Sequence, residues 1–169
     1  MSVAKAARQD DLTELFRATI LDHARRPRNR GTSLTAPDIE THGVNASCGD
    51  RVTLRFCVDE SGTITAIEWE GQGCAISQAS VSMMTRAVKG QPLAEAERVI
   101  EAFHRFLRGE PVPDAVRLGE LEALASVRQF PMRAKCAWLG WQALKDGIAT
   151  AQARHVSDDD PLGVRRVSG

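Results

Sequence analysis

The chain has no surplus of charge, no long apolar run and few cysteines, and each lack removes a class of function. Its 169 residues carry 22 Lys+Arg against 22 Asp+Glu. That balance leaves no global basic field of the kind that gathers phosphate backbones, so nucleic acid is not an expected partner. No stretch approaches the ~18 apolar residues of a membrane span, and Met1 to Asp11 lack the apolar core of a signal peptide. The four cysteines, Cys48, Cys57, Cys74 and Cys136, are too sparse for a secreted disulfide scaffold and read as reduced thiols of a cytoplasmic protein. Folding at this length buries roughly 70% of the unfolded chain's surface. A metal is therefore not needed merely to hold a core together, and any metal has to be justified by chemistry.

What is present reads as strands first and helices afterwards. Leu12, Leu15, Phe16, Thr19 and Ile20 keep helical spacing behind Asp10 and Asp11, which predicts an amphipathic helix from Leu12 that stops before Pro27. Arg25 to Gly31 then forms a basic loop with four arginines, a candidate surface for a protein partner. Val52, Leu54, Phe56 and Val58 alternate with Arg51, Thr53, Arg55 and Cys57, the period of a half-buried strand. Asp59 to Gly62 is a turn, Thr63 to Glu70 returns as the antiparallel partner, and a weaker strand precedes them near Glu40 to Asn45.

Helical spacing resumes after Cys74 and runs to Lys89-Gly90, and a second helix runs from Pro92 to Gly109. Pro111-Val112-Pro113 is a rigid connector, a short helix covers Leu118 to Val127, and Pro131 opens a last one reaching about Ala149. This order predicts a single α+β domain over residues 1–149, a small antiparallel sheet of about three strands with helices packed on one face. Residues 150–169 are polar and without period, and a disordered tail is expected there.

Three segments place a thiol beside chain-bending or helix-starting residues: Asn45-Ala46-Ser47-Cys48-Gly49-Asp50, Gly71-Gln72-Gly73-Cys74-Ala75 and Phe130-Pro131-Met132-Arg133-Ala134-Lys135-Cys136. A hairpin returns its end close to its start, so Cys48 and Cys74 can share one end of the sheet, and a helix laid across that end brings in Cys136. Three thiolates and the Asp50 carboxylate make a Cys₃Asp set suited to tetrahedral Zn²⁺. The helix N-terminus at Cys74, and Arg133 and Lys135 beside Cys136, are expected to favour thiolate forms. The spacing differs from the paired C-x₂-C knuckles of zinc fingers. Cys57, mid-strand with no Gly or Asp beside it, reads as strand packing. Met83 and Met84 read as core filling, and Trp138 and Trp141 as anchors of the last helix. His23, His42, His104 and His155 are dispersed, and none is assigned to metal.

Taken in order, Pro27-Arg28-Asn29-x-Gly31, Ser47-Cys48-Gly49-Asp50, Gly71-x-Gly73-Cys74-Ala75-Ile76-Ser77 and Phe130-Pro131-x-Arg133-x-Lys135-Cys136-Ala137 resemble the signature of the IscU/NifU N-terminal-like family of iron–sulfur cluster assembly proteins. The resemblance runs from about Leu12 to about Ala149. Within that family it is to the SufU branch. The 62 positions between Cys74 and Cys136 leave room for the extra segment that marks this branch, and Lys135 stands where IscU-type members carry a metal- or cluster-binding histidine.

The resemblance implies an IscU-like fold and a tightly bound Zn²⁺ held by Cys48, Asp50, Cys74 and Cys136. It implies that Cys48 accepts persulfide sulfur from a PLP-dependent cysteine desulfurase of the SufS type, freed when a histidine of the desulfurase takes its place on zinc. Sulfur would then pass to the Suf cluster scaffold complex. Arg133 is the candidate for supporting the arriving or leaving sulfur. The chemistry is coherent, because zinc keeps a thiol deprotonated and a thiolate is the species that attacks a sulfane sulfur. Two other readings use the same residues: a scaffold that assembles a [2Fe–2S] cluster, and a non-catalytic interaction domain with structural zinc.

Overall fold

The computed structural model describes residues 3–158. Three strands, β1 (Ile39–Asn45), β2 (Asp50–Val58) and β3 (Ile64–Gln72), form one antiparallel sheet in the order β1-β2-β3. The register pairs Asn45 with Asp50 and Arg51 with Gln72. The β1–β2 loop and the end of β3 therefore come to the same end of the sheet.

Alternation along β2 buries Asp50, Val52, Leu54 and Phe56 on one face and turns Arg51, Thr53, Arg55 and Cys57 to the other. Helices cover only the first face. There Leu54, Phe56, Ile64, Ile67 and Trp69 pack with Met83, Met84, Phe103, Trp141 and Leu144 in one buried core. This is the α+β arrangement read from the sequence, with both methionines as core filling. Cys57 lies on the uncovered face rather than in that core. It is half-buried, with its thiol 3.9 Å from the Ala36 carbonyl, beneath a segment that Ser33 and Leu34 also tie to Glu68.

The helices are α1 (Val3–Arg25), α2 (Ala75–Val88), α3 (Leu93–Leu107) and α4 (Pro131–Asp158), with a 3-10 helix over Gly119–Val127 before α4. Two boundaries differ from expectation. α1 begins at Val3, so Asp10 and Asp11 lie inside it instead of in front. The early residues Ala4, Ala6 and Ala7 are strong helix formers. Leu12 and Leu15 are exposed, and only from Ile20 to His23 does the helix seal onto the core. α4 passes Ala149 and continues to Asp158, because Ala151 packs on the core, Gln152 donates to Glu97 and Arg154 donates to the Asp38 carbonyl. The expected tail is therefore helical to residue 158, and its remainder, 159–169, lies outside the described residues.

The basic loop between α1 and β1 is partly structural. Arg28 donates to the Asp22 carboxylate, Arg30 donates to the Gly71 carbonyl and lies over the Trp69 ring, and the Trp69 indole N–H donates to the Arg28 carbonyl. Arg25 and Arg26 remain exposed.

Two buried polar links join the helices. Ser80 Oγ, fully buried on α2, donates to the Ala137 carbonyl of α4 at 2.6 Å and accepts the Trp141 indole N–H at 3.0 Å. His23 of α1 bonds Ser82 Oγ of α2 through Nδ1 and Glu120 of the 3-10 helix through Nε2. The Trp141 ring also stacks 4.4 Å from Phe103. Replacing Trp141 by Ala removes a fully buried aromatic and the donor to Ser80. It is expected to cost about 3–5 kcal/mol of unfolding free energy, with Ser80→Ala costing about 1–3 kcal/mol. Urea unfolding of both variants checks the order of the two effects.

Candidate metal centre

Three elements each deliver one thiol to the end of the sheet where β2 begins. Cys48 sits on the β1–β2 loop, where its own N–H and that of Gly49 donate to the Asn45 carbonyl. Asn45 Oδ1 accepts the Ser47 N–H, and Gly49 takes a φ of 74°, a left-handed conformation that a side chain would strain. Cys74 is the N-cap of α2, its sulfur accepting the Ser77 N–H at 3.4 Å. Cys136 lies in the second turn of α4, 6% exposed, and is held in register by the Ser80–Ala137–Trp141 link one residue further on.

Asp50 is the acidic member, 3% exposed because the alternation of β2 puts it on the covered face. Its Oδ1 accepts the Cys74 N–H at 3.3 Å, and its Oδ2 lies 3.8 Å from the Cys74 sulfur. Among the described residues no Lys, Arg or His nitrogen is within ion-pair distance of it.

Ligand atoms of Cys48, Asp50 and Cys136 all lie within 4.8 Å of one another, with the Cys48 and Cys136 sulfurs 3.5 Å apart. Around a tetrahedral zinc with sulfur at about 2.3 Å, two sulfurs stand about 3.8 Å apart, so this donor set fits that ion. The Cys74 sulfur stands to one side of the trio, against Asp50 and engaged with the Ser77 amide. Cys57 is on the other face of the sheet and has no part in the cluster.

Burial, followed by hydrogen bonds to Asp50 and Cys48, pushes the Cys136 thiol well above its ordinary pKa. This reverses the expectation that Arg133 and Lys135 would favour its thiolate. Both cationic residues are exposed, and the Arg133 guanidinium stacks over the Phe130 ring at 5.1 Å, so desolvation of Cys136 outweighs them. Asp50 and Cys136 are buried side by side next to the exposed Cys48 thiol with no protein cation beside them among the described residues, a donor set whose thiols a divalent ion would deprotonate on binding.

The roles of the α2 serines were not read from the sequence, although Ser77 lies within the Gly71 to Ser77 signature. Ser77, Ser80 and Ser82 look like ordinary polar helix residues, yet all three are buried and tie α2 to the Cys74 turn, to α4 and to α1. α2 is buried on nearly every side, so these serines carry no periodic signal that would set them apart.

Gly73 completes the cradle. A Cβ there would collide with Ser77 Oγ and lie 3.0 Å from Asp50 Cγ, so any side chain displaces the carboxylate or its neighbour. Gly73→Ala is expected to keep the fold by far-ultraviolet circular dichroism while weakening zinc binding at least about ten-fold, as for other groups that orient ligands. Competition with a chromogenic chelator measures the loss.

The chain is 39% identical over 139 residues to the zinc-dependent sulfurtransferase SufU of Bacillus subtilis, covering 82% of this chain and 92% of that protein. It is likewise 39% identical over 150 residues to the iron–sulfur cluster assembly scaffold protein IscU of Streptococcus pyogenes, covering 88% and 92%. A crystal structure described as a candidate iron–sulfur cluster assembly scaffold for the SUF system, from Fervidobacterium islandicum, superposes with a TM-score of 0.69 at 31% identity, over 77% of this chain and 93% of that one. The model of the NifU-like N terminal domain matches residues 15–137, a span that holds all three converging thiols and Asp50, and the chain belongs to that family of iron–sulfur cluster assembly proteins.

Proposed function

We propose that the chain is a zinc-dependent sulfur-transfer protein of the cytoplasm. Cys48 takes a sulfane sulfur from the persulfide of a PLP-dependent cysteine desulfurase of the SufS type, and the sulfur moves on to the Suf cluster scaffold complex. The observation that carries this reading is the setting of Cys48, an exposed thiol on a hairpin loop in contact with the buried sulfur of Cys136 and within 4.8 Å of the buried carboxylate of Asp50. A persulfide on a partner can meet it without entering the fold.

Cys48, Asp50 and Cys136 would hold the zinc, with Cys74, beside Asp50, as the fourth donor. Bound there, zinc supplies thiolate character at neutral pH. The Cys48 thiolate attacks the outer sulfur of the donor persulfide. A new S–S bond forms on Cys48, the donor's S–S bond breaks, and the donor departs as a thiolate with no net oxidation. Arg133, one turn before Cys136 on α4, is assigned the supporting role of offering positive charge to that exchange. Lys135 is exposed on α4 and stands outside the group of ligand atoms that converge on Asp50, where a histidine could have added a further donor. That supports transfer over cluster assembly.

The scaffold reading is favoured by relatives named as scaffolds. Anaerobic reconstitution with iron and sulfide separates the two, since a stable cluster that passes to an apo-protein would reverse the ranking. Transfer predicts one zinc per chain as purified. It also predicts a mass gain of one sulfur after exposure to desulfurase and cysteine, absent in Cys48→Ala and unchanged in Cys57→Ala. Full stimulation of desulfurase turnover by Cys48→Ala would remove Cys48 as acceptor. Tightly held zinc with no sulfur gain and no stimulation would leave only a structural-zinc domain.

A further inference from the structure

Four thiols are available to this chain, and the fold brings only one of them into contact with Cys48. Its sulfur lies 3.5 Å from that of Cys136. The Cys74 sulfur is outside the group of ligand atoms within 4.8 Å of one another and accepts the Ser77 amide, while Cys57 occupies the opposite face of the sheet. Cys136 is also fixed, because the adjacent Ala137 carbonyl is bonded to the buried Ser80 hydroxyl, which in turn holds Trp141.

Resting on the reading of Cys48 as sulfur acceptor, we infer that Cys136 is a resolving thiol. When zinc is withdrawn it displaces sulfide from persulfidated Cys48 and closes a Cys48–Cys136 disulfide, so the metal decides whether the sulfur is kept for delivery or lost.

Exposure sets the direction of attack. Cys48 is exposed and Cys136 buried, so a sulfur added to Cys48 by a partner arrives from the solvent side, and Cys136 faces the inner sulfur. Displacement at a disulfide sulfur proceeds with the leaving group opposite the attacking one. The new bond joins the two cysteine sulfurs, and the bond between Cys48 and its added sulfur breaks. The added sulfur leaves as hydrogen sulfide with the Cys136 proton. The sulfane sulfur is reduced by two electrons and the two cysteines are oxidised by two, so no external reductant is consumed. A zinc ion held by Cys48 and Cys136 together would fix both sulfurs and so suppress the displacement; once it is withdrawn, the Cys136 proton passes to the departing sulfur as the new bond closes.

The test starts from zinc-loaded full-length protein given sulfur by either of two sources, inorganic polysulfide or desulfurase with cysteine, and then desalted. Half of each sample receives a strong zinc chelator. Free sulfide, non-reducing intact mass and disulfide peptide mapping are followed, with circular dichroism on every sample. Chelated wild type is expected to release about one sulfide per sulfur loaded, at least about ten-fold faster than the zinc-loaded half, and to yield the Cys48–Cys136 peptide pair. Chelated Cys136→Ser should keep its persulfide, and chelated Cys74→Ser should still discharge.

Sulfide release that is indifferent to Cys136, or persulfide that survives chelation in wild type, overturns the inference and leaves the sulfur-acceptor role of Cys48 standing. So does a Cys48–Cys57 or Cys48–Cys74 disulfide, which a chain loosened by metal loss would favour because shorter loops close at lower entropic cost. Discharge after polysulfide loading, with no loading by desulfurase, removes the transfer function and keeps the resolving chemistry. Failure of both sources to load Cys48 overturns both.

Discussion

Asp50 is a carboxylate on the covered face of a sheet, 3% exposed, facing thiols and one amide with no protein cation beside it among the described residues. Burying an ion costs several kcal/mol after relaxation unless something balances it. The rest of the functional end is arranged around that cost. Cys74 lends Asp50 its backbone N–H, Gly73 lets the chain pass without a side chain in the way, and Cys48 and Cys136 bring further donors of the kind a soft-to-borderline divalent ion takes. A carboxylate buried in this way, among donors within 4.8 Å of one another, is placed where it could serve a metal as a ligand.

The three thiols reach Asp50 by three different physical devices. A tight loop with one left-handed glycine presents Cys48, a helix N-cap presents Cys74, and a helix interior presents Cys136. Each device leaves its thiol with a different freedom. The loop thiol is exposed and, among the described residues, free of backbone amides, the cap thiol is exposed but engaged with the Ser77 amide, and the helix thiol is buried and held through Ser80 and Trp141. That gradient fits the proposed roles, with Cys48 as the reachable acceptor and Cys136 and Cys74 as donors held in place beside Asp50.

Much of the fold was legible because its signals are local. The period of two in β2 foretold not only the strand but the side on which each residue falls, and the same alternation that buries Val52 and Phe56 buries Asp50 and turns Cys57 away. The ends of the helices were less legible. α1 starts early because its first alanines favour helix, and α4 overruns its last strongly apolar turn because Gln152 and Arg154 find partners on α3 and just before β1. Neither contact has a signature within its own segment. The charges beside Cys136 misled for a related reason. Arg133 and Lys135 are near it in sequence, but their side chains lie in solvent while the thiol is desolvated, and burial governs its proton.

The sequence by itself determined the strand–hairpin–helix order, the thiols and the carboxylate available as donors, and the loop, cap and helix on which each sits, because these follow from turn residues and hydrophobic period. Only the tertiary structure decided which sulfurs touch. Cys48 and Cys136 meet across 88 positions of chain because α4 lies along β1 with its first turns at the end of the sheet where β2 begins, and two buried serine hydroxyls fix α2 against its neighbours. Cys74, much nearer in sequence to Cys48, stands aside because its sulfur satisfies the first turn of its own helix. Distance along the chain says little about such choices, which are settled by how helices pack on one face of a sheet and by which polar groups must find partners once water is excluded.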